Sequence, residues 1–560
     1  MKKTLGFLAF SLLSGLSMAQ SNFAPLNEEY YHRIDRYEIK SGKLNQHFFT
    51  VTKPYKRSDI VAFFKENRET GLIQSKADQF NDQYFRTDSW EWDTTADYQS
   101  KKAIAKHLYQ SKSDFYHART KDFDVHISPV LYVGAGRDNL VDDMLYTNTR
   151  GIEVRGMIDN KVGFYTYLTD NQLLLPDYVN DYRTNLVVPH EGFWKGFKEG
   201  QAVDFLQARG YITFEATKHI NIQFGHDRFN VGHGFRSLAF SDNPPPALFL
   251  KGNAKVWKLN YFFLLNRFTA NTTGNINGLT GTGRFPDKYV AMHHFSFNIG
   301  KKLNIGVFES VVFAADSTTQ GKFDAAYLNP IIFYRAIEQQ NGSSDNVIIG
   351  ADFKWNAIKN VQLYGQVALD EFLLDNVKKG DGWWANKFAA QLGVKYVDAF
   401  GIANLDFQAE ANRIRPYTFS HDSDFGSYSG YRQSLAHPLG ANLNELIGVV
   451  RYQPIPRLHV IGKLILVKTG RDDATTNWGG DILKINTTRQ QNFNNEIAQG
   501  FSNTITFANL TMSYMLKHNL FAEAMVLVRN SKSDLAFYNQ NSTITSFSIR
   551  WNIPQRLYDF

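Results

Sequence analysis

The chain has 560 residues, with 61 lysines and arginines against 54 aspartates and glutamates, and no cysteine. So small a positive excess on so long a chain leaves no electrostatic footprint for nucleic acid. The missing cysteine excludes a disulfide framework and a lipid-modified N-terminal cysteine.

Residues 1–19, MKKTLGFLAFSLLSGLSMA, place Lys2 and Lys3 before an apolar run from Leu5 to Leu16, then Ser17 and Ala19 ahead of Gln20. This order reads as a secretory signal peptide, so the mature chain is expected to leave the cytoplasm. Its removal takes two lysines and no acid, leaving 59 basic and 54 acidic residues, a net charge of +5. Cysteine-free export and the length point to a bacterial envelope protein. Beyond the signal no stretch of about 18 uninterrupted apolar residues occurs, so a membrane-spanning form has to be a barrel.

Residues 20–120 form the second segment. RSDIVAFFKEN offers Ser58 as a helix N-cap with Ile60, Phe63 and Phe64 on one face, and SKADQFNDQYF repeats the pattern with Ala77, Phe80 and Tyr84. The expectation is a periplasmic segment of short helices beside the barrel mouth.

Residues 121–560 alternate apolar and polar positions. In IANLDFQAEAN, Ala403, Leu405, Phe407, Ala409 and Ala411 share one face, while Asn404, Asp406, Gln408, Glu410 and Asn412 share the other. VQLYGQVALD sets Val361, Leu363, Val367 and Leu369 against Gln362, Tyr364, Gln366 and Asp370. About eighteen such strands follow one another. Short connections such as IDNK, EATK, GKK and QPIP alternate with long polar loops near 171–200, 229–245, 268–287, 314–345, 371–385, 414–439 and 470–500. An outer-membrane barrel sorts its connections in this way, with short turns on one rim and long loops on the other, whereas a β-sandwich has no reason to. The expected fold is an all-β transmembrane antiparallel barrel of about 18 strands with both chain ends on the periplasmic side. Its last strand presents Phe547, Ile549, Trp551 and Ile553 to lipid; Pro554 ends the pairing, and the final Phe560 resembles the signal read by barrel-assembly machinery.

TVTKPYKRSDI (Thr50–Ile60), GHDRFNVGHGFRSLAFSDNPPPALFLKGNAKVWKLNY (Gly225–Tyr261), YLNPIIFYRAIEQQNGSSDNVIIGADFKW (Tyr327–Trp355) and the closing SFSIRWN with its YDF end lie in order along the mature chain. Together they resemble the Wzi-like capsule-assembly outer-membrane barrels, and within them the RemB gliding-motility proteins of Bacteroidetes. The resemblance implies a barrel of about eighteen strands with N-terminal helices, in the outer membrane of a Gram-negative bacterium. It implies a non-enzymatic surface role in gliding motility or in attaching or assembling capsular polysaccharide. The implied partners are outer-membrane lipid, surface polysaccharide, gliding or surface-adhesin machinery and, during biogenesis, barrel-assembly machinery; no cofactor is implied.

Asp227, Arg228, Arg236 and Asp242 of the central block, with Arg335 and Glu338 of the next, are candidates for a lumen-facing network. They either brace inward-folded loops, since buried charges need partners, or meet a sugar. The block holding Arg335 and Glu338 is expected to fold inward and close the lumen. Tyr417, Phe425, Tyr428, Tyr431 and Trp478 are candidate sugar-stacking rings in long loops; Trp383 and Trp384 read equally as an interfacial girdle. His226 and His233 lie seven apart, which is not the spacing of a helical metal pair. GSYSG (Gly426–Gly430) lacks the serine of a nucleophile elbow, and VGAGRDN lacks the third glycine of a dinucleotide loop. The alternative functions are a porin-like diffusion channel, permitted by the mixed-charge polar face, and an outer-membrane hydrolase, for which no motif speaks.

Overall fold

The computed structural model describes residues 21–93, 95–104, 106–179, 187–192, 194–198, 202–270, 287–313, 323–331, 333–341, 345–423 and 425–560. The signal-peptide segment therefore lies outside the described residues.

Among the described residues, eighteen long strands close into one antiparallel barrel: β1 (Phe123–Asp138), β2 (Leu145–Ile158), β3 (Val162–Leu174), β4 (Ala202–Thr217), β5 (Ile220–Asp227), β6 (Ala247–Val256), β7 (Leu259–Thr269), β8 (Asp287–Ile299), β9 (Leu303–Phe313), β10 (Asn346–Ile358), β11 (Val361–Glu371), β12 (Lys387–Tyr396), β13 (Leu405–Ile414), β14 (Leu443–Ile455), β15 (Leu458–Arg471), β16 (Phe501–Lys517), β17 (Leu520–Ser533) and β18 (Gln540–Trp551). Closure joins β18 to β1, from Ile544 opposite Asp138 to Trp551 opposite Leu131. The short connections gather on one rim. The β2–β3 turn shows why so few residues suffice: Asp159 and Asn160 both take positive φ, 51° and 52°, the geometry that suits a two-residue hairpin.

Successive residues of each strand point alternately outward and into the barrel. Outward-facing Leu206, Leu392, Leu446 and Phe547 are 67%, 61%, 58% and 58% exposed, members of an apolar band that encircles the strands. A protein surrounded by water rarely leaves so large an apolar surface open, and a hydrocarbon environment accounts for it. Near the short-turn rim, Trp257, Trp355, Phe400, Tyr452 and Tyr514 are exposed outward, placed as an aromatic girdle.

Three helices close that rim: α1 (Glu28–Ser41), α2 (Arg57–Glu69) and α3 (Lys76–Asp88). Asn27 caps α1 by accepting the N–H groups of Glu29 and Tyr30, and Gly42 ends it at φ +66°. Ser75 and Asp78 form a capping box on α3. Ser58 is not a cap: α2 starts at Arg57, and the Ser58 N–H donates to Ser21 Oγ at 2.9 Å. The helices share an aromatic core in which Phe64 and Phe85 stack at 4.3 Å. Helix α1 enters the barrel and is pinned by ions from its wall. His32 lies 3.0 Å from Asp406, Lys395 reaches Asp35 at 2.8 Å, Lys354 reaches Glu38 at 2.6 Å, and Lys463 reaches Glu28 at 2.8 Å.

Two segments depart from the expected layout. Strand β18 stops at Trp551, and residues 553–560 turn into the lumen, so Ile553 and Phe560 are buried there and away from lipid. Tyr178 Oη donates to the Tyr558 carbonyl at 2.6 Å, and Arg529 Nε donates to the Phe560 carbonyl at 2.9 Å. Residues 323–331 and 333–341, part of the block expected to fold inward, lie on the outer wall. Helix α4 (Tyr334–Asn341) covers Ala291 and Val311, which face outward from β8 and β9, together with Val347 of β10. The reason is polar: Glu309 of β9 faces outward, and its carboxylate accepts the N–H groups of Tyr334 and Arg335 at 2.7 and 2.8 Å.

Candidate functional site: a filled lumen with an internal chamber

The 228–246 connection between β5 and β6 folds inward and crosses the barrel. Asn230 and Val231 pair with Lys53 and Thr52, tying this loop to the N-terminal segment. On the far wall, Gln366 Oε1 of β11 accepts the Leu238 N–H at 2.6 Å, and Glu410 of β13 accepts the N–H groups of Phe235 and Arg236 at 2.6 and 3.1 Å. The Arg236 guanidinium bridges Glu445 of β14 and Asp559 of the tail, each at 3.0 Å. Burial alone would push the Asp559 carboxyl up, but Arg236 and Lys463 beside it hold it below the usual carboxylate range.

A second loop, between β13 and β14, folds over the first. Tyr428 is fully buried and its hydroxyl donates to the Ala239 carbonyl at 2.6 Å, with Ser310 Oγ at 3.0 Å. Tyr417 is buried against the loop between β15 and β16, its hydroxyl donating to the Asn477 carbonyl at 2.9 Å. Both rings hold loops together from within. Phe425, Tyr431 and Trp478 are half-buried and keep part of their surface toward solvent. Trp383 and Trp384 are also half-buried, with the Arg489 guanidinium 4.1 Å above the Trp384 ring.

Between helix α1, the 228–246 loop and the tail lies a chamber of about 280 Å³. It gathers four of the expected network residues. Asp227, at the end of β5, lies 3.9 Å from Arg209 on the chamber wall, while Arg228, Arg236 and Asp242 line the chamber directly. Arg335 and Glu338 are not part of it: they pair with each other at 2.5 Å on α4, outside the barrel. The chamber also collects Lys53, His190, Glu191 and Arg556, which sequence reading does not single out. They come from the N-terminal segment, a long loop and the tail, where no strand alternation marks a side chain as inward.

Burial pushes the Lys53 ammonium down to about 8 and the Glu191 carboxyl up from its usual range. Burial and the neighbouring Arg228 push the His190 imidazole down. Among the described residues no group of three or more acids and histidines is placed to hold a metal ion. His226 bonds the Ala208 carbonyl on the outside, whereas His233 lies inside, 3.6 Å from Asp352.

No family model matches the chain, and no curated protein matches its sequence. By structure it is similar to Wzi, an outer membrane protein involved in group 1 capsule assembly in Escherichia coli and described as a carbohydrate-binding β-barrel. The TM-score is 0.58 at 12% identity, covering 96% of this chain and all of the other. The fold is Wzi-like. Looser likenesses, at TM-scores of 0.41 and 0.43, connect it with Pseudomonas aeruginosa OprD (11% identity, 78% of this chain and 97% of that one) and OpdK with vanillate (9% identity, 76% and 98%).

Proposed function

We propose that the protein is a plugged outer-membrane barrel of a Gram-negative bacterium whose long-loop face engages surface polysaccharide. The observation that carries this reading is the filled lumen. The N-terminal helices, two inward loops and the tail occupy the space a diffusion channel would keep open, which leaves the long-loop surface as the face that meets the exterior. The likeness to a carbohydrate-binding barrel and the partly open rings of Phe425, Tyr431 and Trp478 support a glycan as partner, because sugar C–H faces stack on aromatic rings while nearby polar groups take the hydroxyls. Lipid surrounds the apolar band, and barrel-assembly machinery would insert it. A part in gliding rests on the sequence resemblance alone.

The test is retention of polysaccharide extracted from the parent strain on immobilised, folded protein, together with capsule retention and colony spreading in a deletion strain. Retention that drops when Phe425, Tyr431 and Trp478 are changed to alanine supports the reading. No retention with unchanged capsule and spreading refutes it, and steady conductance in planar bilayers would favour the channel instead.

A further inference from the structure

We infer that the internal chamber is a binding site for a carboxylated sugar, an inference that rests on the polysaccharide reading and names the sugar class it selects. Several cations line it. Three of them, Lys53, Arg228 and Arg556, have no ion-pair partner among the described residues. Lys53 Nζ donates to the Gly232 carbonyl at 2.8 Å and to Asn230 Oδ1 at 3.3 Å. Arg556 donates to Thr149 Oγ1 and Asn171 Oδ1, both at 2.6 Å. The Arg228 guanidinium makes only long contacts, to the His190 and Asp242 carbonyls at 3.4 and 3.5 Å. The buried Nε atoms of Arg209 and Arg228 have no hydrogen-bond partner among the described residues. Such groups are costly to enclose, and an arginine fork matches a carboxylate in two parallel bonds.

The rest of the lining suits a sugar ring. Glu191 accepts one bond, from Gln207 Nε2 at 2.5 Å, and with Asp242 it offers acceptors for hydroxyl groups. Tyr167 supplies an aromatic face, already carrying the Arg209 guanidinium at 4.1 Å, and Phe235 supplies another. The volume of about 280 Å³ is at the small end for a ligand pocket, the scale of one or two sugar units. The cations select the carboxylate, and the acids and rings hold the remainder of the sugar.

The experiment titrates the folded barrel in detergent with D-glucuronate, D-glucose and acetate by calorimetry. The proteins are the parent, Arg556→Gln and Arg228→Gln, each first shown to be folded by its heat-dependent shift on a gel. Saturable glucuronate binding, with glucose and acetate weaker and each substitution costing roughly tenfold to hundredfold in affinity, supports the site. Glucose binding as well as glucuronate, or substitutions that leave glucuronate binding unchanged, overturns it. So does an absence of glucuronate binding. Retention of the extracted polysaccharide is scored on the same preparations, so loss of the chamber proposal with retention intact leaves the surface reading standing. Loss of both removes the two together.

Discussion

Changing Glu309 to alanine is expected to release helix α4 from the outer wall. Glu309 faces outward from β9, directly across the strand pair from His293, and its two carboxylate oxygens accept the Tyr334 and Arg335 N–H groups. Tyr334 lies 4.0 Å from the His293 ring, and Tyr261 Oη donates to the Pro330 carbonyl from the neighbouring strand. Hydrogen bonds to a charged group contribute about 1.5–3 kcal/mol each, so the pair contributes about 3–6 kcal/mol. Loss of even 3 kcal/mol raises the released population roughly 100-fold. Arg335 is exposed, so trypsin added to proteoliposomes should cut there at least tenfold faster in Glu309→Ala than in the parent, while the barrel keeps its folded gel mobility. Equal cleavage rates would refute the assignment of Glu309 as the anchor. Tyr261→Phe should show a smaller increase of the same kind.

Arg236→Ala leaves Glu445 without its guanidinium inside the lumen and is expected to cost about 3–5 kcal/mol, read as a lower unfolding temperature and brief conductance events in planar bilayers. Ser75→Ala removes one half of the α3 capping box and should cost about 1 kcal/mol, with no change in conductance. Lys53 gives the pH dependence. Its ammonium falls from the ordinary 10.5 to about 8 in the folded chain, chiefly through burial, with Asp35 and Asp242 opposing the fall and Lys395 and Lys354 adding to it. Between those values the unfolded chain holds a proton that the folded chain has released, so this group makes the fold more stable as pH rises from about 8 to 10.5. Lys53→Met should flatten that part of the stability curve, and an unchanged slope would show that Lys53 is not the group responsible.

Strand positions were legible because each barrel strand meets two different media. Lipid on one side and a polar, ion-paired interior on the other force a strict two-residue period, which is why Gln362, Tyr364 and Gln366 separate from Val361, Leu363 and Val367 in sequence as they do in space. The same physics hides α1. A helix inserted into a polar lumen also encloses charges, so His32, Arg33, Arg36 and Glu38 are buried beside the apolar stripe of Tyr30, Ile34 and Tyr37 and blur it in the sequence. Its remaining marks are the ends, Asn27 before Glu28 and Glu29, and Gly42 after Ser41.

The candidate site was legible only where it lies on strands or in a block dense with charge. Arg209 follows from the alternation of β4, and Asp227, Arg228, Arg236 and Asp242 stand out by composition. Tyr417 and Tyr428 show the limit of reasoning from loop length. A long loop that folds back into a barrel buries its aromatics, and a ring then braces the loop through its hydroxyl. Arg335 and Glu338 show a second limit. Whether a loop turns in or out is decided by the wall beside it, here by one carboxylate on the lipid side of β9. Glu309 stands where alternation calls for an apolar residue, between Val307 and Val311. An acid on the hydrocarbon face of a strand needs hydrogen-bond donors from somewhere, and the chain itself supplies them in the first turn of α4. That break in the pattern is the sequence signal for the outer-wall segment: a misplaced polar residue on a lipid-facing strand marks the spot where another part of the chain comes to lie.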